Sequence, residues 1–457
     1  MEELNFENLR ISAKKKRDNP KIRIATRGQH PWQTIAAKEG VLLDPERVCR
    51  TRWPNCETEK YIYSLYSGRE TNWTEFYNQV DKTHEFYKRK MFRVFCQEPG
   101  KNGRPLNHKT SAGEKRAKVS DKGFPSFPVA INELFAVILR QPYQRISIMD
   151  TDFVDTGGEL SVISLLHFNQ DASWQKTGIK IDQFQIGFLF SGVLYVVDNS
   201  TLRVFNIYFD KTVKTKVCAS ELAKADLEKR DNICLRNNIR SLTATNSHIL
   251  LTGENFGFVL LKANSELPIV ARGTSEQSYT MGCLNGLAFA IGKKDKFLEI
   301  WEIDPETDTV KQINNEAVLV PRRSTLGDAI PISNEAFVGT DYLHFSPERL
   351  AISNNANFLA NQKRPQNVMC QIHDFNPIVS ISVFGELCVL LSNEGIITVS
   401  QFASGKHLFT NYVAVPSFGR AISQTRQQQL TAMTHDTIFV LCLNGDVYAL
   451  VAIDKLQ

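Results

Sequence analysis

Residues 192–207 read GVLYVVDNSTLRVFNI, and this stretch decides the fold class. Two apolar runs rich in Val, Leu and Phe flank the short polar segment Asp198-Asn199-Ser200. Aliphatic and aromatic side chains of this kind favour strands, and Asn and Asp tolerate the positive φ angles that tight hairpins require. The stretch therefore predicts a β-hairpin.

The same unit returns four more times along the chain. The repeats are SHILLTGENFGFVLLK at 247–262, NGLAFAIGKKDKFLEIWEI at 285–303, GELCVLLSNEGIITVSQF at 385–402 and DTIFVLCLNGDVYALVAI at 436–453. Apart from the third and fourth, which begin 100 residues apart, successive hairpins recur at intervals of roughly 40 to 60 residues, which suits a four-stranded propeller blade. The turns of a β-sandwich come closer together, about every 8–12 residues, so the pattern favours an all-β propeller of about seven blades.

One repeat also resembles a known family. The segment GKKDKFLEIWEID at 292–304 resembles the end of a WD repeat, in which an aromatic residue, here Trp301, closes the third strand and an acidic residue follows it. Phe205 takes the equivalent place in its own hairpin. The resemblance implies a WD40-like β-propeller that binds protein, peptide or nucleic-acid partners on its surface and is not an enzyme.

Composition divides the chain into four regions. Residues 1–40 are polar and basic and predict a flexible tail, whereas 41–98 are rich in aromatic residues and predict a small helical module. Residues 99–124 hold Gly, Pro, Lys and Ser with almost nothing to bury, which is typical of a solvated basic linker. The propeller is expected at 125–457, with an early strand from about 129–139 completing the last blade.

The helical module carries a stripe of apolar side chains. From Trp73, the residues Phe76, Tyr77 and Val80 follow at helical spacing, with polar residues between them. Two interpretations stay open at this point. The stripe packs against the propeller or the preceding segment, or it is exposed and anchors an interface with a partner.

The same module resembles the Trp-rich continuation that follows the box in F-box proteins, and its second part is similar to elongin A. The matching positions are Cys49, Arg52, Trp53 and Pro54 in VCRTRWPN, and Trp73, Phe76 and Tyr77 in NWTEFYNQVDKTHEFYKRKMF. Residues 1–40 contain no leucine-rich run of the box itself. The resemblance implies a substrate receptor of a ubiquitin ligase with a Skp1-type or elongin-type adaptor as partner. The matching residues other than Pro54 would then bind the adaptor or form the core of the module.

A compact basic run, Lys14, Lys15, Lys16 and Arg17, lies in the tail. Two functions are compatible with it. The run neutralises phosphates of RNA or DNA, or it serves as a nuclear-import signal. We expect the protein in the nucleus, the cytoplasm or both.

A search for catalytic and metal-binding patterns gives a negative expectation. The sequence has no GxxxxGK[ST] loop and no HExxH pair, and its nine histidines are dispersed. Its nine cysteines form no CxxC pair, which disfavours a zinc finger and a disulfide framework and indicates a reducing compartment. We therefore expect no catalytic residues, no metal and no cofactor. We expect no membrane partner either, because no run of about eighteen apolar residues occurs.

The sequence thus predicts a non-enzymatic protein-interaction scaffold, most specifically an F-box-like substrate receptor. The alternative is a structural subunit of a ribonucleoprotein or chromatin complex whose basic N-terminus contacts nucleic acid. The net charge of +5 does not separate the two hypotheses.

Overall fold

The fold is that of a computed structural model of the 457-residue chain. The described residues are 45–46, 49, 56–88, 92–97, 106–108, 126–140, 157–166, 168, 172–210, 213, 216–235, 239–273, 279–285, 288–293, 297–304, 306–312, 318–319, 330–333, 336–338, 342–344, 368–371, 378–384, 387–392, 396–401, 407–412, 429–442 and 445–452. Two compact units divide the chain, residues 1–51 and residues 52–457.

Two helices open the second unit, as predicted for the aromatic module. Helix α1 spans Cys56–Ser67 and helix α2 spans Trp73–Lys88. Gly68 follows α1 with a φ of 70°, a left-handed conformation that glycine adopts without steric cost at a helix end. The side-chain Oδ1 of Asn72 accepts a hydrogen bond of 2.9 Å from the backbone N–H of Glu75, which caps the first turn of α2.

The remaining described elements are almost all strands. Two short strands come first: β1 (Phe92–Gln97) and β2 (Leu106–His108). Sheet 1 contains β3 (Ser126–Ile131), β4 (Phe135–Arg140), β5 (Gly158–Ser164) and β6 (Gln175–Ile181). Sheet 2 contains β7 (Phe184–Phe190), β8 (Val193–Asp198), β9 (Thr201–Phe209) and β10 (Val217–Asp226), which is followed by helix α3 (Leu227–Asp231).

The next two sheets have the same arrangement. Sheet 3 contains β11 (Ile239–Ala244), β12 (His248–Gly253), β13 (Gly257–Lys262) and β14 (Ile269–Arg272). Sheet 4 contains β15 (Tyr279–Asn285), β16 (Ala288–Lys293), β17 (Phe297–Ile303) and β18 (Val310–Gln312), with β19 (Val318–Leu319) also paired to β17.

The last three sheets complete the set. Sheet 5 contains β20 (Ile330–Ser333), β21 (Ala336–Val338), β22 (Tyr342–His344) and β23 (Val368–Gln371). Sheet 6 contains β24 (Ile378–Phe384), β25 (Leu387–Ser392), β26 (Ile396–Gln401) and β27 (His407–Tyr412). Sheet 7 contains β28 (Thr431–Met433), β29 (Thr437–Leu441) and β30 (Val447–Ala452), joined by β1 and β2.

The sheets form a closed ring. Within each sheet consecutive strands pair antiparallel, and the first strand of each sheet from sheet 1 to sheet 7 contacts the first strand of the next. Contacts between β29 and β3 join sheet 7 to sheet 1. A ring of four-stranded antiparallel sheets is the architecture of a β-propeller, so the predicted all-β propeller fold is confirmed.

Ring closure differs from the sequence-based expectation. Strand β1 pairs with β30 over its whole length, from Phe92 opposite Ala452 to Gln97 opposite Val447. The closing strand therefore lies inside the segment 41–98 that composition assigns to the helical module, and β2 lies inside the expected linker. Residues 129–139 belong to sheet 1 instead. The six residues FRVFCQ contain no signal of their pairing partner, because β30 lies more than three hundred residues later in the chain.

All five hairpins expected from the sequence repeats are present. Each is formed by the second and third strands of its sheet, in sheets 2, 3, 4, 6 and 7. Both expected third-strand aromatics lie in third strands: Phe205 is fully buried in β9, and the ring of Trp301 in β17 stacks on Phe289 with centroids 6.0 Å apart.

The burial pattern explains why the inner strands have continuous apolar runs. Every residue of β12, HILLTG, is buried, because neighbouring sheets cover both of its faces. The outer strand β6, QKTGIKI, alternates between exposed and half-buried positions up to its last residue. Apolar cores therefore form between adjacent sheets, and one of them combines residues of sheet 2 with residues of sheet 3.

Buried serines join neighbouring first strands. In six sheets the pairing of the first and second strands shifts register at a bulge, and Ser241 and Ser380 follow two of these shifts. The Ser241 hydroxyl accepts a 2.8 Å hydrogen bond from the backbone N–H of Gly282 in the next sheet. Ser380 accepts bonds of 2.9 and 3.0 Å from the N–H groups of Leu430 and Thr431.

A glutamine connects three sheets at the point of closure. The backbone carbonyl of Gln429 accepts a hydrogen bond from the N–H of Ile131 in sheet 1. Its side-chain amide meets the backbone of Leu189 in sheet 2: Oε1 accepts from the N–H at 2.9 Å, and Nε2 donates to the carbonyl at 3.0 Å. Gln429 thus satisfies two polar groups of an inner strand that has no further strand beside it.

Candidate functional site

The connections of the ring fall on two sides. Strand direction alternates within a sheet, so the turns between first and second strands lie on one side, which we call the first-turn side. The hairpin turns between second and third strands, and the connections between consecutive sheets, lie on the other, which we call the hairpin side. Two structures among the described residues are relevant to function: a polar groove on the hairpin side and a helix pair on the first-turn side.

The polar groove lies on the hairpin side of sheet 2. It encloses about 390 Å³ and is lined by Asp182, Gln183, Asp198, Asn199 and Thr201. These residues come from the connection between β6 and β7 and from the turn between β8 and β9. A space of this size suits a small ligand or one or two side chains of a partner.

Asp198 holds the two loops of the groove together. Its Oδ1 accepts hydrogen bonds from the backbone N–H groups of Asp182 at 3.1 Å and Gln183 at 2.8 Å. In return, the backbone N–H of Asn199 donates to the carbonyl of Gln183 at 2.7 Å. The groove is therefore built on strand ends whose relative position is set by direct hydrogen bonds.

Arg203 neutralises the second oxygen of Asp198. Its Nη1 lies 3.1 Å from Asp198 Oδ2, and its Nε donates to Glu221 at 2.8 Å. The guanidinium also lies over the ring of Phe205, 5.0 Å from its centroid. Burial acts to lower the pKa of Arg203, but the hydrogen bonds to Glu221 and Asp198 outweigh it and the pKa is raised. Arg203 is therefore a fixed cation committed to two carboxylates.

Two acceptors of the groove have no such commitment. The Asn199 side chain carries a buried Oδ1 that has no hydrogen-bond partner, and its backbone adopts a left-handed φ of 58°. Asp182 is exposed, and no ion pair is formed by its carboxylate among the described residues. The groove therefore contains one charged and one neutral acceptor group that have no partner among the described residues.

The helix pair, formed by α1 and α2, packs on the first-turn side. The ring of Phe76 contacts Phe384 of sheet 6, with centroids 6.4 Å apart and an interplanar angle of 82°. Tyr63 contacts His435 of sheet 7 edge to face at 5.1 Å. The Tyr66 hydroxyl donates a 2.7 Å hydrogen bond to the carbonyl of Glu133 in sheet 1. The helix pair thus covers three consecutive sheets, including the sheet that closes the ring.

The apolar stripe of α2 forms the inner face of this packing. Phe76 is fully buried, and Tyr77 and Val80 are each 6 % exposed. Trp73 is half-buried, contacts Phe76 at 6.2 Å and lies under the ammonium group of Lys60 at 5.2 Å. These side chains pack against the protein itself, which is the first of the two interpretations that the sequence left open.

Burial shifts the pKa values of three groups where the helix pair meets the propeller. Burial raises the pKa of Glu133 from 4.5 to about 7, against a smaller opposing effect of a backbone hydrogen bond. Burial likewise lowers the pKa of His435, and the neighbouring carboxylate of Asp436 opposes this shift. Burial also raises the pKa of Tyr66 well above its usual value. The interface therefore favours neutral side chains.

Replacing Glu133 with Gln is expected to change how stability depends on pH. Because the folded pKa is raised, the folded state binds the proton more tightly than the unfolded state, and stability is lost as pH rises from 4.5 to about 7. Relative to Glu133→Gln, the wild-type free energy of unfolding should fall by about 2 kcal/mol between about pH 5 and about pH 7.5. Urea unfolding at both pH values measures this difference, and parallel curves would contradict it.

A second buried histidine, His248, lies between sheets 3 and 4. Its Nδ1 is 3.0 Å from the Ser247 hydroxyl, and its Nε2 is 3.6 Å from Asp308 on the turn between β17 and β18. Asp308 also pairs with Lys262. Burial lowers the pKa of His248, with Asp308 opposing and Lys262 supporting the shift. The cluster joins two sheets, as expected for a histidine at the start of a strand.

The structure describes only some of the residues that the sequence singled out. Cys49 lies in the first unit and is fully buried. Trp73, Phe76 and Tyr77 come together in the helix pair. The basic run Lys14, Lys15, Lys16 and Arg17, and also Arg52 and Trp53, lie outside the described residues. Their roles stay predictions.

The sequence did not indicate the groove. Asp198 and Asn199 were interpreted as turn residues only, which they are, and Asp182 and Gln183 carried no motif. A conformational signal does exist in the asparagine, because left-handed non-glycine residues are uncommon and favour Asn. The turn between β8 and β9 contacts the connection between β6 and β7 only because of the way sheets 1 and 2 meet, and the sequence gives no sign of this contact.

Metal-binding clusters and membrane-spanning helices were also sought among the described residues. In the described part of the chain, no group of three His, Cys, Asp or Glu residues has an arrangement that could hold a metal ion. No helix within that part is long and apolar enough to cross a membrane.

Comparison with known proteins gives structural likeness only. No family model and no curated protein sequence matches the chain. Among solved structures, the chain is similar to the WD40 β-propeller domain of Doa1, at 9% identity and a TM-score of 0.41 over 73% of this chain and 96% of that one. It is also similar to BamB from Moraxella catarrhalis, at 11% identity and 0.35 over 71% and 84%. Raptor from Chaetomium thermophilum matches at 10% identity and 0.46 over 84% and 32%.

Proposed function

We propose that this chain is a protein-interaction scaffold that recognises a partner on the hairpin side of its propeller. One observation carries the proposal: the chain covers the first-turn side of sheets 6, 7 and 1 with its own helix pair, whereas the hairpin side of sheet 2 has a groove with two acceptors that have no partner among the described residues. Hydrogen bonds between its two loops hold the groove residues in place, so a partner can bind without a large change in the conformation of the groove.

We further propose that the N-terminal region links the propeller to a larger assembly, as an F-box-like receptor would. Phe76 and Tyr77 are buried, so their role in this proposal is to hold the module together and not to contact an adaptor directly. Tyr61 of α1 is 55 % exposed and is the large apolar side chain of the helix pair that a Skp1-type or elongin-type adaptor would reach. Exposed tyrosines are effective anchors of protein interfaces.

Affinity purification of the tagged full chain from its own cells, with mass spectrometry and with or without nuclease, tests both parts. We expect protein partners that survive nuclease, including an adaptor. Tyr61→Ala should reduce adaptor recovery by about tenfold, as loss of an interface anchor does. Adaptor recovery that is unchanged in Tyr61→Ala would contradict the contact proposed for α1.

The matched control is Tyr208→Ala, which removes an exposed tyrosine, 42 % accessible, from β9 of sheet 2. It should leave adaptor recovery unchanged. Partners that disappear with nuclease, with no adaptor in either sample, would overturn the receptor proposal. That outcome would favour a nucleoprotein subunit that uses its basic tail, and the partners should then be released steeply by salt.

A further inference from the structure

We propose that the groove binds an arginine side chain presented by the partner protein. This inference rests on the proposed function, since it names the chemistry that the hairpin side recognises. Two kinds of groove residue matter to a ligand: those that build the site, and those whose acceptors have no partner among the described residues.

Asp198 belongs to the first group. Its Oδ1 accepts two backbone N–H groups, and its Oδ2 pairs with Arg203 at 3.1 Å. Its charge is therefore compensated from within sheet 2. Arg203 is likewise committed, because Glu221 accepts from its Nε at 2.8 Å and the carbonyl of Lys180 accepts from its Nη1 at 2.6 Å. This ion pair shapes the groove. None of the five residues that line the groove is a cation that could bind an acidic ligand.

Asp182 and Asn199 belong to the second group. The Asp182 carboxylate contributes an exposed negative charge that no described cation neutralises. The Oδ1 atom of Asn199 is buried without a hydrogen-bond partner, a state that costs free energy until a donor reaches it. One acceptor is charged and the other neutral, and both line the same space.

A guanidinium matches this pair of acceptors better than other ligands do. It carries five N–H donors in one plane, so it can bind a carboxylate with one edge and an amide oxygen with another. The ammonium of lysine is a point charge that gives up its hydration less readily. A divalent metal ion is disfavoured, because no group of three His, Cys, Asp or Glu residues in the described part of the chain is arranged to hold one.

Selection from a peptide library with the intact chain tests the inference. The probe is a pool of nonapeptides with a fixed central residue, Arg, Lys, Glu or citrulline, and randomised flanks. We expect immobilised wild-type protein to retain the Arg pool about tenfold better than the citrulline pool, which has nearly the same shape but lacks the charge. Retention of Lys should fall between the two.

Two variants locate the effect. Asp182→Asn should remove most of the preference for Arg over citrulline, and Asn199→Ala should reduce it. Glu306→Gln, which removes an exposed carboxylate from the turn between β17 and β18 of sheet 4, should leave it unchanged. Equal retention of Arg and citrulline, or a preference that Asp182→Asn leaves intact, would overturn the inference.

The outcomes also separate this inference from the proposed function. Selection of peptides without any preference for Arg, together with protein partners in the affinity purification, would leave the scaffold standing and remove only the arginine site. Absence of both selected peptides and protein partners would remove both. Binding of Ca²⁺ alone, detected by calorimetry and abolished in Asp182→Asn, would reassign the groove to a cation.

Discussion

A fragment of residues 109–457 is expected to be less stable than a fragment of residues 89–457 by about 5 kcal/mol in the free energy of unfolding. The longer fragment retains β1 and β2, whereas the shorter one leaves β30 as the edge of an incomplete sheet. Six residues of β1 pair with six of β30, from Val447 to Ala452, and each lost hydrogen bond costs on the order of 1 kcal/mol. Urea unfolding followed by circular dichroism measures the difference.

Hydrogen exchange gives a readout that does not depend on complete unfolding. The amides of β30 should exchange much faster in the shorter fragment, while those of β12 in sheet 3 should keep their protection at low denaturant. Light scattering should also increase, because an unpaired edge strand is a template for association. Equal stability and equal exchange in the two fragments would contradict closure by β1.

Phe76→Ala is expected to lower the free energy of unfolding by about 3–5 kcal/mol, the usual cost of removing a buried aromatic ring. The Phe76 side chain is fully buried among the rings of Tyr63, Trp73 and Phe384. The cavity cannot close easily, because two of these rings belong to the helix pair and one to sheet 6. Chemical unfolding of the full chain measures the change.

Tyr61→Ala is the matched control for this prediction. Tyr61 lies on the same helix pair but is largely exposed, so its removal should change stability by less than about 0.5 kcal/mol. Phe76→Leu, which keeps most of the buried volume, covers the case in which Phe76→Ala does not fold, and its loss should be smaller. A loss for Phe76→Ala as small as that for Tyr61→Ala would mean that the helix pair does not stabilise the ring.

The same two variants make adaptor experiments interpretable. Loss of an adaptor in Phe76→Ala would report on the packing of the helix pair as much as on binding, since the residue is inaccessible to a partner. Loss in Tyr61→Ala, with stability unchanged, would report on contact. Any variant of the aromatic module should therefore be measured for stability before its partners are compared.

The helix pair and the groove lie on opposite sides of the propeller. The helix pair lies against sheets 6, 7 and 1, near turns that include Glu133 and His435, and the groove opens on the hairpin side of sheet 2. A partner bound in the groove and an adaptor bound near Tyr61 would then not compete for the same surface. This separation is what a scaffold that joins two proteins requires.

Local sequence was sufficient for the hairpins. In GVLYVVDNSTLRVFNI the strand-forming runs and the turn between them are adjacent in the chain, so their pairing needs no information from elsewhere. The helical spacing of Trp73, Phe76 and Tyr77 was sufficient for α2 in the same way. Repetition of the hairpin then predicted the propeller, because a sheet with apolar residues on both faces requires neighbours on both faces.

The sequence by itself therefore determined the all-β fold, the repeated hairpins and the helices of the aromatic module, since each depends on contacts between residues that are near in the chain. Tertiary structure alone decided the rest. It decided that β1 pairs with β30, that Gln429 bonds to Leu189, where the helix pair packs and which acceptors line the groove. Each of these features depends on segments that are distant in the chain. Such contacts depend on how the ring closes, and no local pattern of residue types specifies that geometry.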